Sequence, residues 1–314
     1  GAGWAGARVC APGGRLLDSV DDPEKELDQW SIGGSDHWYN IPNNRVRGMR
    51  SKRTDQAMHA GFLRSVSNSY NVYVVESCID DIAHRLKRDP LELRLSLLDG
   101  KGEKRGIPNS GYPAGTPSDY YMDQFFTALP WPEPGSWLPY ESTTVGGAKR
   151  MANALQVAAG KAGYGSKVLA NNVGMGVAVS GAEERESPTW TAGVAEVEVD
   201  PERGKISIRR VTIAMDMGLA INPDNVAAQI RGSVLWGASQ VLSERLTMKA
   251  GAYELLNFDT YKTIRLGEIP EIHVELIESG RHPSGVGEPA SSVVAPAVDV
   301  QRPPLANCAP HRRR

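Results

Sequence analysis

Cysteine is scarce in this chain. Its 314 residues contain 3 cysteines, Cys10, Cys78 and Cys308, which stand far apart and form no C-x-x-C pair. This excludes a disulfide-stapled small domain and disfavours a structural zinc site or a cysteine-ligated iron–sulfur cluster within the chain. The 6 histidines also lack metal-ligand spacing, so we expect no metal held by side chains of this chain.

Long apolar runs and an excess of charge of one sign are missing as well. No apolar run approaches the roughly 18 residues of a membrane-spanning helix, and no charged-then-apolar leader opens the sequence, so we expect no membrane span. The 35 Lys and Arg against 37 Asp and Glu leave a net charge of -2, which disfavours a nucleic-acid partner. Hydrophobic residues at 40% and charged residues at 23% indicate a chain that buries a core, in one large or two medium domains.

Common catalytic signatures are absent from the sequence. It contains no G-x-S-x-G, no H-E-x-x-H and no G-x-x-x-x-G-K-[ST] motif. Gly174 and Gly176 resemble part of a dinucleotide-binding loop, but the third glycine is lacking and the following residues have the pattern of an extended strand. These enzyme classes are therefore disfavoured.

Hydrophobic spacing predicts several helices. Apolar residues recur at three- and four-residue steps from Val72 to Leu86, the pattern of a helix with one buried face. Asp89 and Pro90 provide an N-cap and a first-turn proline for a second helix through Leu98. A third helix is predicted from Met151 to Ala162. A fourth begins after Asn222 and has a face of small residues that another element should contact closely: Gly232, Ser233, Gly237 and Ala238.

Alternating patterns predict strands in the second half of the chain. Residues 192–199 and 206–214 flank a turn and predict a β-hairpin, and Glu271 to Ile277 predicts a further strand, which indicates an α+β fold. Residues 1–60 are predicted to be mostly loop, with an extended stretch near Trp38 and Tyr39. Because residues 100–146 form a proline-rich connection, we divide the chain into regions 1–146, 147–298 and an atypical tail, 299–314.

One turn presents a carboxylate in an unusual setting. Gly285 and Gly287 let the backbone approach a bulky ligand closely, while Pro289 stiffens the exit and fixes where the Glu288 carboxylate points. From these residues alone, an ordinary Gly/Pro turn with an exposed glutamate remains the alternative.

Several motifs in a fixed order resemble one enzyme family. Gly285-Val-Gly-Glu-Pro-Ala, followed by Val294-Ala-Pro-Ala, resembles the active-site signature in the large subunit of xanthine dehydrogenase-family molybdenum hydroxylases. The segment from Gly61 to Asn71 and the run Arg88-Asp-Pro-Leu-Glu-Leu-Arg resemble the isoquinoline 1-oxidoreductase β-subunit and aldehyde dehydrogenase branch. Further matching stretches lie between them in the family's order: Asp216-Met-Gly, Ala228-Gln-Ile-Arg-Gly and Asn257-Phe-Asp-Thr-Tyr.

The resemblance implies the fold of the C-terminal molybdopterin-binding domains of molybdenum hydroxylases, with mixed sheets and packed helices. It also implies roles for individual residues. Glu288 corresponds to the family's general base, beside a molybdenum that a pterin dithiolene holds, so the metal would need no ligand from this chain. The implied cofactor-binding residues come from three separate stretches: Arg64, Ser65, Val66, Gln229, Gly232, Gly285 and Gly287. Without the resemblance, Arg64 would be interpreted as a surface arginine before a helix and Gln229 as a polar helix residue.

The resemblance also implies an activity. It is the molybdenum-cofactor-dependent hydroxylation of an N-heteroaromatic or aldehyde substrate, with water as the oxygen source, by the C-terminal part of a large catalytic subunit. The implied cofactor is molybdenum-molybdopterin, with the cytosine dinucleotide form as one variant. Implied partners are a small [2Fe-2S] subunit and a cytochrome c-type electron acceptor, on the cytoplasmic or periplasmic side of a bacterial cell.

Two departures from the family leave a second hypothesis open. Family members are longer, and their N-terminal pterin-binding loops have no counterpart among these residues. After Val298 the family pattern is lost and the chain ends in Arg312-Arg-Arg, which a truncated or frameshifted reading frame would explain. The alternative is therefore a catalytically silent fragment or scaffold that only packs with partner subunits.

Overall fold

The computed structural model describes residues 3–10, 33–35, 37–41, 43–50, 63–100, 147–184, 187–280 and 283–299. Nearly all of the proline-rich connection and the tail beyond Asp299 lie outside these residues. Within the described ranges, no helix combines the length and the apolar character needed to cross a membrane.

Two strands lie in the N-terminal part. β1 (Gly3–Cys10) and β2 (Asn43–Arg50) pair in parallel along their full lengths. The prediction that residues 1–60 are mostly loop is therefore wrong for these two segments. Parallel strands are joined by long connections, so the pattern of either strand by itself does not reveal the pairing.

The remaining strands form one mixed sheet and a short hairpin. They are, in chain order, β3 (Val173–Glu184), β4 (Ser187–Asp200), β5 (Lys205–Asp216), β6 (Met248–Lys249), β7 (Ala252–Tyr253) and β8 (Glu271–Leu276). The mixed sheet has the order β3–β4–β5–β8, with antiparallel pairing except for the parallel pair β5–β8. The predicted hairpin and the strand after Glu271 are confirmed, and Gly174 and Gly176 lie in extended β3.

The described helices are α1 (Val66–Leu86), α2 (Pro90–Leu97), α3 (Gly147–Ala162), α4 (Pro223–Leu242) and α5 (Val294–Asp299), with 3₁₀ helices at Leu266–Glu268 and Pro289–Ser291. The four predicted helices are confirmed, although α1 begins before the predicted Val72. Asp89 accepts hydrogen bonds from backbone N–H groups in the first turn of α2 at 2.8 and 3.0 Å. Asn222 caps α4 in the same way at 3.1 Å.

The sheet separates two apolar cores. On one side, Trp190 of β4 packs edge-on against Trp38, with ring centroids 4.9 Å apart, and α1, α2 and α3 complete this core. A Cβ added at Gly147 would lie 2.4 Å from the Trp190 ring, so only glycine leaves room for the indole there. On the other side, α4 packs against β5 and β8, and α5 packs against β3 and β4. These layers confirm the α+β prediction, whereas Trp38 lies in irregular backbone and not in a strand.

The small-residue face of α4 contacts the C-terminal end of the described chain. A Cβ at Gly237 would lie 2.7 Å from Cβ of Val294 and 3.0 Å from the carbonyl oxygen of Ser291. Ser291 ends the 3₁₀ helix that begins just after Glu288. The absence of a side chain at Gly237 therefore lets the Glu288 region lie directly against α4.

A buried ion pair joins α1 to α2. Arg94 Nε lies 2.8 Å from Glu76 Oε2, and the two side chains are 0% and 1% exposed. The Tyr39 hydroxyl donates to Glu76 Oε1 at 2.8 Å, and the Val179 backbone N–H donates to Oε2 at 3.0 Å. Because a buried charge is tolerated only when it is paired and hydrogen-bonded, these contacts fix α1 against α2 and β3.

Asp80 adds a second carboxylate beside Arg94, with Oδ1 2.5 Å from Nη1. Burial raises the pKa of Asp80 from 3.8 to about 6, although attraction to Arg94 opposes the rise. Between these two pH values the folded chain holds a proton that the unfolded chain has released. The contribution of Asp80 to the free energy of unfolding therefore falls as pH rises through this window and is constant above it.

We predict that Asp80→Asn is more favourable relative to the native chain at pH 7 than at pH 4, by about 1–3 kcal/mol, because asparagine does not titrate. Denaturant unfolding of both proteins across this pH range measures the difference. Asp81→Asn, at an exposed neighbouring position, is the control. A difference between native and Asp80→Asn chains that does not change with pH would contradict the assignment.

Candidate functional site

Glu288 is the last residue of the glycine-containing segment Ser284–Glu288 and directly precedes the 3₁₀ helix that begins at Pro289. The Glu288 carbonyl oxygen accepts two hydrogen bonds from Ser291, one from its backbone N–H at 3.1 Å and one from its Oγ at 2.7 Å. Its half-buried side chain reaches the start of α1, where Oε2 accepts a hydrogen bond from the backbone N–H of Ser65 at 2.9 Å. Ser65 Oγ also donates to the Glu288 carbonyl oxygen at 3.2 Å. The carboxylate is thus oriented by backbone from a distant part of the chain.

Arg64 joins three segments of the chain. Its Nε donates to the carbonyl oxygen of Gly287 at 2.9 Å, and Nη2 binds the same oxygen. Nη2 also donates to Gln229 Oε1 at 2.8 Å and to the Gln229 carbonyl oxygen at 3.2 Å. The start of α1, the middle of α4 and the glycine-containing segment therefore meet at one guanidinium group.

The backbone at the start of α1 is strained. Ser65 has φ 73° and Val66 has φ 41°, both in the left-handed region. This region costs an L-residue about 1–2 kcal/mol and is rare for a β-branched residue such as valine. The turn directs the Ser65 N–H towards Glu288. Strain of this kind clusters at functional sites, where the surrounding contacts maintain it.

The other predicted site residues lie around this centre. A Cβ at Gly232 would lie 3.2 Å from Arg64 Nη1, so glycine lets the guanidinium lie close to α4. The Gly285 carbonyl oxygen accepts a hydrogen bond from Thr189 Oγ1 at 2.5 Å. Val66 begins α1, and its N–H donates to the Leu63 carbonyl oxygen at 2.7 Å. The structure brings the predicted residues into one region, while their roles in cofactor binding and catalysis remain predictions.

Sequence reasoning missed the contacts that anchor the other end of the glycine-containing segment. Thr189 Oγ1 lies 2.7 Å from Ser284 Oγ, although the two residues are 95 positions apart. The backbone N–H of Ser284 donates to the carbonyl oxygen of Met217 at 2.8 Å. The only local indication in the sequence was that Ser284 directly precedes the motif Gly285-Val-Gly-Glu-Pro-Ala. Thr189 and Met217 have no pattern of their own, because their partners come from distant segments.

The family model of the molybdopterin cofactor-binding domain matches residues 148–270. The matched region contains Gln229 and Gly232, whereas Arg64 precedes it and Glu288 follows it. The site therefore combines residues of the matched region with residues on both sides of it, and the predicted resemblance to molybdenum hydroxylases is confirmed.

Two curated bacterial proteins are similar to most of the chain. The membrane-bound aldehyde dehydrogenase [pyrroloquinoline-quinone] of Gluconacetobacter polyoxogenes is 34% identical over 87% of this chain and 31% of its own length. The isoquinoline 1-oxidoreductase subunit beta of Brevundimonas diminuta is 25% identical over 91% of this chain and 30% of its own length. The chain thus spans about a third of the length of these relatives.

A solved structure has the same fold. The aldehyde oxidoreductase from Desulfovibrio desulfuricans ATCC 27774 superposes with a TM-score of 0.56 at 14% identity, over 94% of this chain and 43% of that chain. At this identity the likeness concerns the fold alone. It shows that the described sheet and helices share the fold of that aldehyde oxidoreductase.

The residues of the site are of types that can bind a pterin cofactor: a hydrogen-bond donor and glycines. Gln229 is exposed, and within the described ranges its Nε2 donates to no residue, so this amide N–H can donate to a ligand. Gly232 and Gly287 carry no side chain, so none stands between a large ring system and the backbone beside Arg64. Across the described ranges, no group of three or more His, Cys, Asp and Glu is placed to hold a metal ion. A metal carried by the cofactor itself is compatible with these donors.

We predict that Ser65→Gly is more stable than Ser65→Ala by about 1 kcal/mol, because both lose the hydroxyl but only glycine adopts φ 73° without strain. Chemical denaturation of the two variants measures the difference. Equal stability of the glycine and alanine variants would show that the left-handed turn at Ser65 is wrong.

Proposed function

We propose that this chain supplies the base and much of the cofactor contact in the large subunit of a molybdenum hydroxylase. The enzyme would oxidise an N-heteroaromatic or aldehyde substrate with water as the oxygen source. The observation that carries the proposal is the hydrogen bond from the Ser65 N–H to Glu288 Oε2, at 2.9 Å. Arg64, next to Ser65 in the chain, binds the Gly287 carbonyl oxygen and the Gln229 side chain, which supports a shared role for these residues.

Glu288 would act as the general base. Its Oε2 is occupied by the Ser65 N–H, while Oε1 receives no hydrogen bond from the described residues. Oε1 is therefore the oxygen that would take a proton, and Ser65 would keep the carboxylate from rotating as it does so. A base held within reach of its proton by a fixed backbone donor needs little reorganisation during the reaction.

The cofactor would be held by Arg64, Ser65, Val66, Gln229, Gly232, Gly285 and Gly287. When bound, molybdenum-molybdopterin supplies the redox chemistry that transfers an oxygen atom from water to the substrate carbon. Arg64 and the Gln229 amide would orient the cofactor through hydrogen bonds, and the two glycines of the segment would let it lie against the backbone. We extend the proposal to the cytosine dinucleotide form of the cofactor.

Electrons would leave through a partner, since the composition disfavours an iron–sulfur cluster in this chain. We propose a small [2Fe-2S] subunit and a cytochrome c-type acceptor. Exposed apolar side chains support contact with further protein: Val74 and Leu86 of α1 are 55% and 56% exposed. We also propose that regions 1–146 and 147–298 act as a first and second cofactor-binding unit, with 299–314 as a tail outside them.

A catalytically silent fragment or scaffold is the second candidate. It is favoured by the coverage of about a third of the relatives' length. Metal and pterin analysis of the purified chain, co-expressed with its partners, separates the two. Stoichiometric molybdenum with pterin fluorescence supports the enzyme. Absence of molybdenum supports the scaffold, and the quinone named for one relative would be detected in the same extract by its absorbance.

We predict that Glu288→Gln in the assembled enzyme lowers kcat by about 100- to 10,000-fold and leaves molybdenum content unchanged, because the amide cannot accept the proton. Steady-state kinetics and metal analysis of the same preparation test this. Glu202→Gln, on the exposed turn after β4, should match the native enzyme. Substantial turnover by Glu288→Gln would remove Glu288 from the role of base.

A further inference from the structure

The end of the glycine-containing segment that lies away from Glu288 is anchored to the turn after β5. Met217 in this turn accepts hydrogen bonds at its carbonyl oxygen from Ser284 N at 2.8 Å and from Ser284 Oγ at 3.3 Å. Thr189 of β4 donates to the Gly285 carbonyl oxygen at 2.5 Å. The segment is therefore held at Ser284 and Gly285 from one side, and at Gly287 and Glu288 by Arg64 and Ser65 from the other.

The turn itself is organised by the Asp216 carboxylate. Oδ1 of Asp216 accepts hydrogen bonds from the backbone N–H of Gly218 at 3.1 Å and from Ser279 Oγ at 2.6 Å. Gly218 has φ 78°, so the chain reverses sharply at this glycine. These bonds set the direction of the intervening Met217 carbonyl group, to which Ser284 binds.

Arg150 of α3 holds this carboxylate. Its Nε lies 2.8 Å from Asp216 Oδ2 and its Nη2 lies 2.6 Å from Oδ1, which makes a bidentate pair. Burial raises the pKa of Asp216, but hydrogen bonds from Arg150 and Ser279 outweigh this effect and leave the pKa below 3.8. The guanidinium carbon also lies 5.7 Å from the centre of the Trp190 ring, next to Thr189 in the chain.

We propose that Arg150 is a positioning residue for Glu288. Arg150 fixes the Asp216 carboxylate, which in turn sets the direction of the Met217 carbonyl group. Because Ser284 binds this carbonyl, Arg150 also fixes the start of the segment that ends in Glu288. This inference rests on the proposed function, because it assigns Glu288 the chemistry that positioning serves. It goes beyond that function because it assigns the positioning of Glu288 in part to α3, a helix in which no sequence motif indicated a functional residue.

The test compares three variants. Arg150→Met removes the bidentate pair, and Arg150→Lys keeps the charge but cannot reproduce both bonds, so it maintains folding if the methionine variant does not fold. Lys167→Met is the matched control, because it breaks another partly buried ion pair, with Glu196 at 2.5 Å, that does not touch the segment.

Two measurements are made on each variant. Site-resolved hydrogen exchange in the full chain reports the Ser284 amide, and steady-state kinetics of the assembled enzyme reports kcat and KM. For both Arg150 variants we expect exchange at Ser284 to speed up about tenfold relative to Lys167→Met. We expect kcat to fall about 10- to 100-fold with KM and molybdenum content unchanged, as for a small displacement of a catalytic group.

Equal Ser284 exchange in the Arg150 and Lys167 variants overturns the proposal, because Arg150 would then act on overall stability alone. Faster exchange with native kcat also overturns it, since the segment would move without affecting Glu288. Failure of the proposed function is recognised separately. In that case Glu288→Gln retains turnover, or the assembly lacks molybdenum, whatever the exchange at Ser284.

Discussion

The site depends on one contact between distant parts of the chain. Arg64 and Ser65 bind Gly287 and Glu288 through hydrogen bonds. Residue 64 and residue 287 are 223 positions apart, so nothing local to either segment holds them together. The contact includes two kinds of hydrogen bond to a charged group: a guanidinium bound to a carbonyl oxygen, and a backbone N–H bound to a carboxylate. Both are stronger than hydrogen bonds between neutral groups, and together they offset the strain of the left-handed turn at Ser65.

Buried charges on the described elements form a frame behind this contact. The Glu76–Arg94 pair fixes α1, which begins at the site, against α2 and β3. The Arg150–Asp216 pair fixes the end of β5 against α3. A buried ion pair adds little net stability compared with apolar packing, but it permits few alternative arrangements. The two ion pairs therefore fix the relative positions of helix starts and strand ends in different layers, from which the groups of the site come.

Local patterns predicted much of this fold from the sequence. The buried face of α1, the caps at Asp89 and Asn222 and the alternation of β4 and β5 are properties of short windows, and all are present. The β1–β2 pairing and the irregular, buried Trp38 could not be predicted, because they depend on partners far along the chain. At the site, the signature and its resemblance indicated Glu288, Arg64 and Gln229. The sequence did not indicate Thr189, Met217 and Arg150. Each acts through a single backbone carbonyl or one ion pair with a distant residue, and such a contact produces no pattern in a short stretch of sequence.

The central claim is that the Ser65 N–H is engaged by the Glu288 carboxylate. Site-resolved hydrogen exchange of the Ser65 amide, in the native chain and in Glu288→Ala, measures this directly. The account predicts slow exchange in the native chain and exchange about tenfold faster in the variant, with amides in the middle of α1 unchanged. Equal exchange at Ser65 in the two proteins would contradict it.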